Sequence, residues 1–265
     1  MASLRDVEWD EAVIDSLVLD ESSKNFIRVL VPRQTVEENE KPAALFDDIV
    51  KDKGKGLVGL FVGPPGVGKT LTAEVISEVS HRPLYVIGSG ELGENSDEVM
   101  TALGRTMELA EAWNAVLLLD EADVFMTMRD NVNLQRNAIT SVFLRRLEYF
   151  QGTMLLTTNR LESFDPAFRS RIHFCVHYED LTDAARYDIW KVFLARVPKA
   201  IKPTELSHEK ITKLAGWQLN GRQIKNAMSV AQRHALSEGQ QMDFESIVRA
   251  MEFSQSGWGG IERSR

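Results

Sequence analysis

The sequence is poor in cysteine, in positive charge and in long apolar runs. Cys175 is the only cysteine of 265 residues, so no internal disulfide can form, and the strand-like residues around it predict a small buried hydrophobe. No apolar run approaches the ~18 residues of a membrane-spanning helix. The opening MASLRDVEWDEAVIDS has early acids and no apolar core of a secretory leader. These features predict an intracellular, reducing setting and do not separate cytoplasm from nucleus. Lysine and arginine number 31 against 39 aspartates and glutamates, a net charge of −8, which argues against non-specific nucleic-acid binding. The five histidines are scattered. His173 and His177 would sit about 13 Å apart on one strand face at about 3.3 Å per residue, so one metal cannot take both and no zinc site is expected. Repeats and low-complexity tracts are missing too.

What is present suits one large domain, or one with a small appendage: 43% of residues are hydrophobic, enough for a core. Residues 1–50 read as a packing and linker segment, with a charged connector at 35–42 and a lysine-rich lead at 51–56. From 51 to 179, apolar runs alternate with helical patterns. The runs Leu57–Val62, Leu84–Ile87, Val116–Leu119, Met154–Thr157 and Ile172–Val176 predict a five-stranded parallel sheet with helices on both faces, an α/β fold. From 180 to 254 strands disappear and four helices are expected: Asp183–Val197, His208–Trp217, Gly221–Ser237 and Phe244–Phe253. Trp190 and Trp217 are expected to pack that helical part, and 255–265 reads as a tail. Leu134, Ala138, Val142 and Leu147, with Phe143 and Phe150, predict a core-facing helix stripe.

The stretch GLFVGPPGVGKTLTAE carries the strongest signal. Gly63, Gly68, Lys69 and Thr70 fit G-x-x-x-x-G-K-[ST], the phosphate-binding loop. A buried strand precedes it, and Thr70–His81 follows as a helix, with Leu71, Val75, Ile76 and Val79 at helical spacing. Strand, glycine-rich loop and helix start bring several backbone N–H groups and a positive helix end around one point. The segment Gly63, Pro64, Pro65, Gly66, Val67, Gly68, Lys69, Thr70 and Leu71 is therefore expected to hold a nucleotide polyphosphate. Lys69 would reach the outer phosphates, and the Thr70 hydroxyl would ligate Mg²⁺.

Hydrolysis needs more. Val116–Leu119 ends abruptly in Asp120 and Glu121, acids at the carboxyl end of a parallel strand and so at the rim of the phosphate loop. Asp120 is expected to support Mg²⁺, and Glu121 to act as general base on water. Asp123 reads as a helix cap or structural acid. Thr153–Thr158 ends in Asn159; beside the first strand, Asn159 would face the γ-phosphate and orient water, with Arg160 structural. In Phe164-Asp165-Pro166-Ala167-Phe168-Arg169-Ser170-Arg171, one arginine is expected to serve a neighbouring subunit's nucleotide, Arg171 in preference to Arg169, because a strand directly after it would fix its backbone. Arg222, at a helix start, could reach a γ-phosphate.

In this order, Gly63–Thr70, Leu117–Asp123, Thr157–Asn159 and Phe164–Ile172 resemble the AAA ATPase family. The phrases GPPGVGKTLTAE, RPLYVIG, LLTTNR and SRIHF look most like the AAA-domain proteins of filamentous fungi. The resemblance covers about 50–255. It implies sheet order 5-1-4-3-2, a helical lid, Mg-ATP, a ring commonly of six subunits, and a protein client. It places Walker A at Gly63–Thr70, Walker B at Asp120 and Glu121, sensor 1 at Asn159, the arginine finger at Arg171 and sensor 2 at Arg222. Residues 89–96 lack the aromatic pore residue of protein-threading members, the proline–glycine pair before the finger is missing, and the second pore-facing segment falls at 127–136. Two other classes stay open: a nucleotide-switched scaffold with little turnover, and a nucleoside or nucleotide phosphotransferase.

Overall fold

The computed structural model describes residues 7–30, 56–93, 95–129, 133–160, 164–203 and 206–262; the connector at 35–42 and residues 51–55 of the lysine-rich lead lie outside them. The chain divides into two compact units, Met1–Gly63 with Lys69–Tyr178, and Pro64–Gly68 with Glu179–Arg265.

The first unit is built on five parallel strands: β1 (Leu57–Val62), β2 (Leu84–Gly88), β3 (Val116–Asp120), β4 (Thr153–Thr158) and β5 (Phe174–His177). Their spatial order is β2-β3-β4-β1-β5, which is the expected 5-1-4-3-2. The three inner strands are almost wholly buried, as strands covered on both faces must be. Leu57 pairs with Thr153 and Val116 with the same Thr153, so β1, β4 and β3 start level and end at one rim.

The helices of this unit are α1 (Glu21–Leu30), α2 (Lys69–Ser80), α3 (Ser96–Ala112), α4 (Asp123–Met126) and α5 (Leu134–Tyr149). On one sheet face, Val58, Leu60, Leu117, Leu119, Met154 and Leu156 pack with Val99, Leu103 and Met107 of α3 and with Phe143, Leu144 and Leu147 of α5. Strand alternation turns Phe61 to the other face. There it meets Phe174 and Tyr178 edge-on, and Phe174 meets Phe26 of α1. Ile14, in the 3-10 helix Glu11–Ser16, and Leu17 just after it close a smaller cluster on Val75 of α2.

Several expectations need correction. Cys175 is exposed, because β5 is an edge strand whose alternation buries Phe174 and Val176 and turns Cys175 out. Leu134 is 77% exposed, since it opens α5 before the helix reaches the core. Leu71 is exposed while Val75 and Ile76 are buried: the buried stripe of α2 runs through Ala73 and Ile76 instead. Helix α2 stops at Ser80, where His81 turns to φ 54. Strand β5 begins at Phe174, so Ile172 and His173 separate it from Arg171; the His173 N–H nonetheless donates to the Val58 carbonyl at 2.8 Å, and its Nδ1 accepts from the Val58 N–H at 3.0 Å.

The second unit carries α6 (Asp183–Ala195), α7 (His208–Ala215), α8 (Gly221–Glu238) and α9 (Phe244–Glu262). Its core gathers Trp190, fully buried, with Leu214, Ile224, Met228 and Ile247, and the half-buried Trp217 packs on it. Helix α8 starts at a reciprocal cap, Asn220 with Gln223, and stops at Gly239 in the left-handed conformation. Among the described residues, no helix is long and apolar enough to cross a membrane.

Candidate active site

The glycine-rich loop leaves the end of β1 at Gly63 and enters α2 at Lys69. Gly63 has φ 151, and a Cβ there would come within 2.3 Å of the Tyr178 carbonyl oxygen, so only glycine fits. Burial pushes the Tyr178 phenol well above its ordinary pKa, against the lowering effect of its hydrogen bond with Thr72, so it stays neutral and donates to the Thr72 hydroxyl at 2.7 Å. The intervening Pro64–Gly68 group with the second unit. There the Gly221 N–H donates to the Gly66 carbonyl at 2.8 Å, and Gly66, at φ 79, leaves no room for a Cβ beside the Asn220 side chain. Arg222 lies two residues beyond Asn220, exposed, in the first turn of α8.

In the first unit, four of the expected residues come together. The buried Lys69 sends its ammonium to the Gly63 carbonyl at 2.6 Å and to Asn159 Oδ1 at 2.7 Å. The Thr70 hydroxyl lies 3.3 and 3.4 Å from the two Asp120 carboxylate oxygens. Lys69 and Thr70 are adjacent on α2, while Asp120 and Asn159 end or follow the neighbouring strands β3 and β4. Glu121 follows Asp120 in the left-handed conformation, φ 56, an unusual state for a side-chain-bearing residue.

The remaining residues make other contacts. Arg171 is held within its own unit: its guanidinium pairs with Glu148 of α5 and donates to the Ala167 carbonyl at 2.8 Å. Arg169 is exposed on the same turn. Asp123 is not a cap, a place taken by Ala122; it sits in the first turn of α4, where the Thr158 hydroxyl donates to it at 3.4 Å. Arg160 is exposed, and its N–H donates to the Thr158 hydroxyl at 3.0 Å.

Two partners were not singled out from sequence. Thr157, fully buried in β4, donates its hydroxyl proton to Asp120 and accepts from the Glu121 N–H at 3.0 Å. Glu148 is the acid that holds Arg171. The doubled threonine before Asn159 was the available signal for the first; nothing in the spacing marks the second.

The donor set suits Mg²⁺. Thr70 and Asp120 offer hard oxygen ligands, and among the described residues no cluster of three or more His, Cys, Asp or Glu could cage a metal alone. Mg²⁺ takes few protein ligands and completes its shell with water and phosphate oxygens, which fits a hydroxyl and a single carboxylate.

Comparison with known proteins agrees with this geometry. Residues 59–179 match the model of the family "ATPase family associated with various cellular activities (AAA)". Human ATPase family AAA domain-containing protein 3B is 31% identical over 135 residues, 48% of this chain and 21% of that protein. ATPase family AAA domain-containing protein 3-B of Xenopus laevis is 31% identical over 159 residues, 57% of this chain and 26% of that protein. Lon protease of Helicobacter pylori is 30% identical over 216 residues, 68% of this chain and 26% of that protein. The chain thus spans about a quarter of the length of these relatives. In sequence and in strand order alike, residues 59–179 are similar to a domain of the AAA ATPase type.

Proposed function

We propose that the chain is a Mg²⁺-dependent ATP hydrolase of the AAA type, working in an oligomeric ring, commonly of six subunits in this family, to remodel a protein partner. The observation that carries the hydrolytic part is the meeting of Lys69, Thr70, Asp120 and Asn159 at one end of the sheet. Bound Mg²⁺ would neutralise charge on the phosphate oxygens, held by Thr70 and Asp120.

The chain's own residues then divide the work. The backbone N–H groups of the loop and the start of α2 bind phosphate. Lys69 brings a cation to the outer phosphates, and Arg222 is proposed as a further one. Glu121 takes the proton of the attacking water, and Asn159 orients that water. Arg171 is proposed to act on a neighbouring subunit's nucleotide, which requires its ion pair with Glu148 to open.

Phosphate release measured against protein concentration tests the reading. Mg²⁺-dependent hydrolysis that rises steeply with concentration, and is lost in Arg171→Ala, is the expected result. Assembly on ATP without phosphate release would make the chain a scaffold. Concentration-independent transfer to an added nucleoside would make it a phosphotransferase.

A further inference from the structure

We infer that Thr157 is a positioning residue for hydrolysis: one buried hydroxyl on β4 holds both the metal-site carboxylate of Asp120 and the backbone of the general base Glu121. This rests on the hydrolytic reading above and adds a residue that reading does not need.

The hydrogen-bond polarity is fixed by chemistry. An ionised carboxylate only accepts and a backbone N–H only donates. The Thr157 proton therefore goes to Asp120 Oδ1, and its lone pair takes the Glu121 N–H at 3.0 Å. The Thr157 carbonyl also accepts from the Ala122 N–H at 2.8 Å. A single residue thus grips the consecutive positions 120, 121 and 122, while the Thr70 hydroxyl lies against Asp120 from α2. Thr157 is 1% exposed, so water does not replace its hydroxyl.

That grip acts where the backbone is least at ease. Glu121 sits at φ 56, a conformation disfavoured for a residue with a Cβ. Without the Thr157 oxygen, its N–H loses the partner that holds the turn, and the carboxylate of Glu121 loses a defined aim at water. Asp120 meanwhile loses the short hydrogen bond to one of its oxygens and keeps the longer Thr70 contacts at 3.3 and 3.4 Å, so its orientation is held less tightly. Chains of hydrogen bonds polarise one another, so the N–H, hydroxyl and carboxylate act as one unit.

Valine and serine separate the roles of shape and hydroxyl. Thr157→Val keeps the branched shape and removes both bonds; Thr157→Ser keeps the hydroxyl and removes only a methyl. Two quantities are read: steady-state kcat and KM for Mg-ATP, and hydrogen exchange of the Glu121 amide in the nucleotide-free protein. In Thr157→Val, kcat is expected to fall roughly tenfold or more with KM changed less than about threefold, and the amide to exchange roughly tenfold faster. Thr157→Ser is expected to stay near wild type in both. Should the valine variant not fold, Thr157→Ala, which leaves space rather than a misplaced methyl, is read the same way. Wild-type kcat and wild-type amide exchange in the variants lacking the hydroxyl overturn the inference while leaving the hydrolytic reading intact. A wild-type protein that releases no phosphate overturns the hydrolytic reading, and with it Thr157's part in catalysis, whatever the amide exchange.

Discussion

The Lys69 ammonium lies 2.7 Å from Asn159 Oδ1, across ninety residues of chain, and 2.6 Å from the Gly63 carbonyl oxygen. The ammonium thus rests on oxygens that a phosphate can replace. Charge-assisted hydrogen bonds of this kind are worth about 1.5–3 kcal/mol. Lys69→Met is therefore expected to weaken Mg-ATP binding by roughly 10- to 100-fold. Asn159→Ala is expected to leave binding within about threefold and lower turnover instead. Titration with a fluorescent ATP analogue, beside phosphate release, separates the two.

Glu148 and Arg171 form a second relationship with a consequence for rate. Both side chains are only about a quarter exposed, so the pair is partly shielded from water and holds Arg171 more firmly than an exposed pair, which is worth about 0–1 kcal/mol. Glu148→Gln is expected to free the guanidinium and raise hydrolysis at a fixed subunit concentration by roughly two- to fivefold. Arg171→Ala is expected to lower it by roughly 10³-fold, the scale of an arginine finger, and Arg169→Ala to change it little. Equal losses in both arginine variants would show that the pair acts only through the local fold.

Asp165 supplies a pH signature. Burial pushes its carboxyl up, but the Ala167 N–H, the hydrogen bond from Arg129 at 2.7 Å and the charge of Arg129 outweigh burial and hold it below the ordinary 3.8. A carboxyl lowered in the folded state contributes stability that is fully present above its unfolded pKa, about 4, and is lost as pH falls through the lower folded value. Asp165→Asn should therefore be most destabilising near neutral pH, and its deficit should shrink as pH drops below about 4. Urea melts of both proteins from pH 7 to pH 2.5 check this; a constant deficit across the range would contradict it.

Core and edge positions should respond very differently. Leu118 is fully buried in the inner strand β3, and Leu118→Ala is expected to cost about 2–5 kcal/mol. Cys175 faces out from β5, and Cys175→Ser is expected to stay within about 0.5 kcal/mol of wild type. Denaturant unfolding monitored by tryptophan fluorescence measures both.

That last contrast also shows what the sequence makes legible. Local pattern suffices for the glycine-rich loop, for the apolar strands ending in Asp120 and Asn159, and for the starts of the four helices of the second unit; α9, however, runs to Glu262, past the expected Phe253 and through most of the stretch read as a tail. Each is written in a few consecutive residues. Cys175 was misread because a four-residue edge strand looks like a buried one until its neighbours are known. Leu134 was misread because helical spacing does not say where along α5 the core begins. Thr157 stands out only in the folded chain, because its hydroxyl acquires meaning when β3 and β4 lie side by side in register. The hold of Glu148 on Arg171, like that of Asp165 on Arg129, joins segments more than twenty residues apart. Long-range pairing of this sort leaves no period in the sequence.

The most direct measurement is a crystal structure of the Glu121→Gln chain with Mg-ATP, a variant expected to bind the nucleotide without splitting it. The account predicts the outer phosphates at Lys69, the metal between Thr70 and Asp120, and Asn159 facing the γ-phosphate. A nucleotide bound away from Lys69 and Asp120, or none at saturating Mg-ATP, would contradict it.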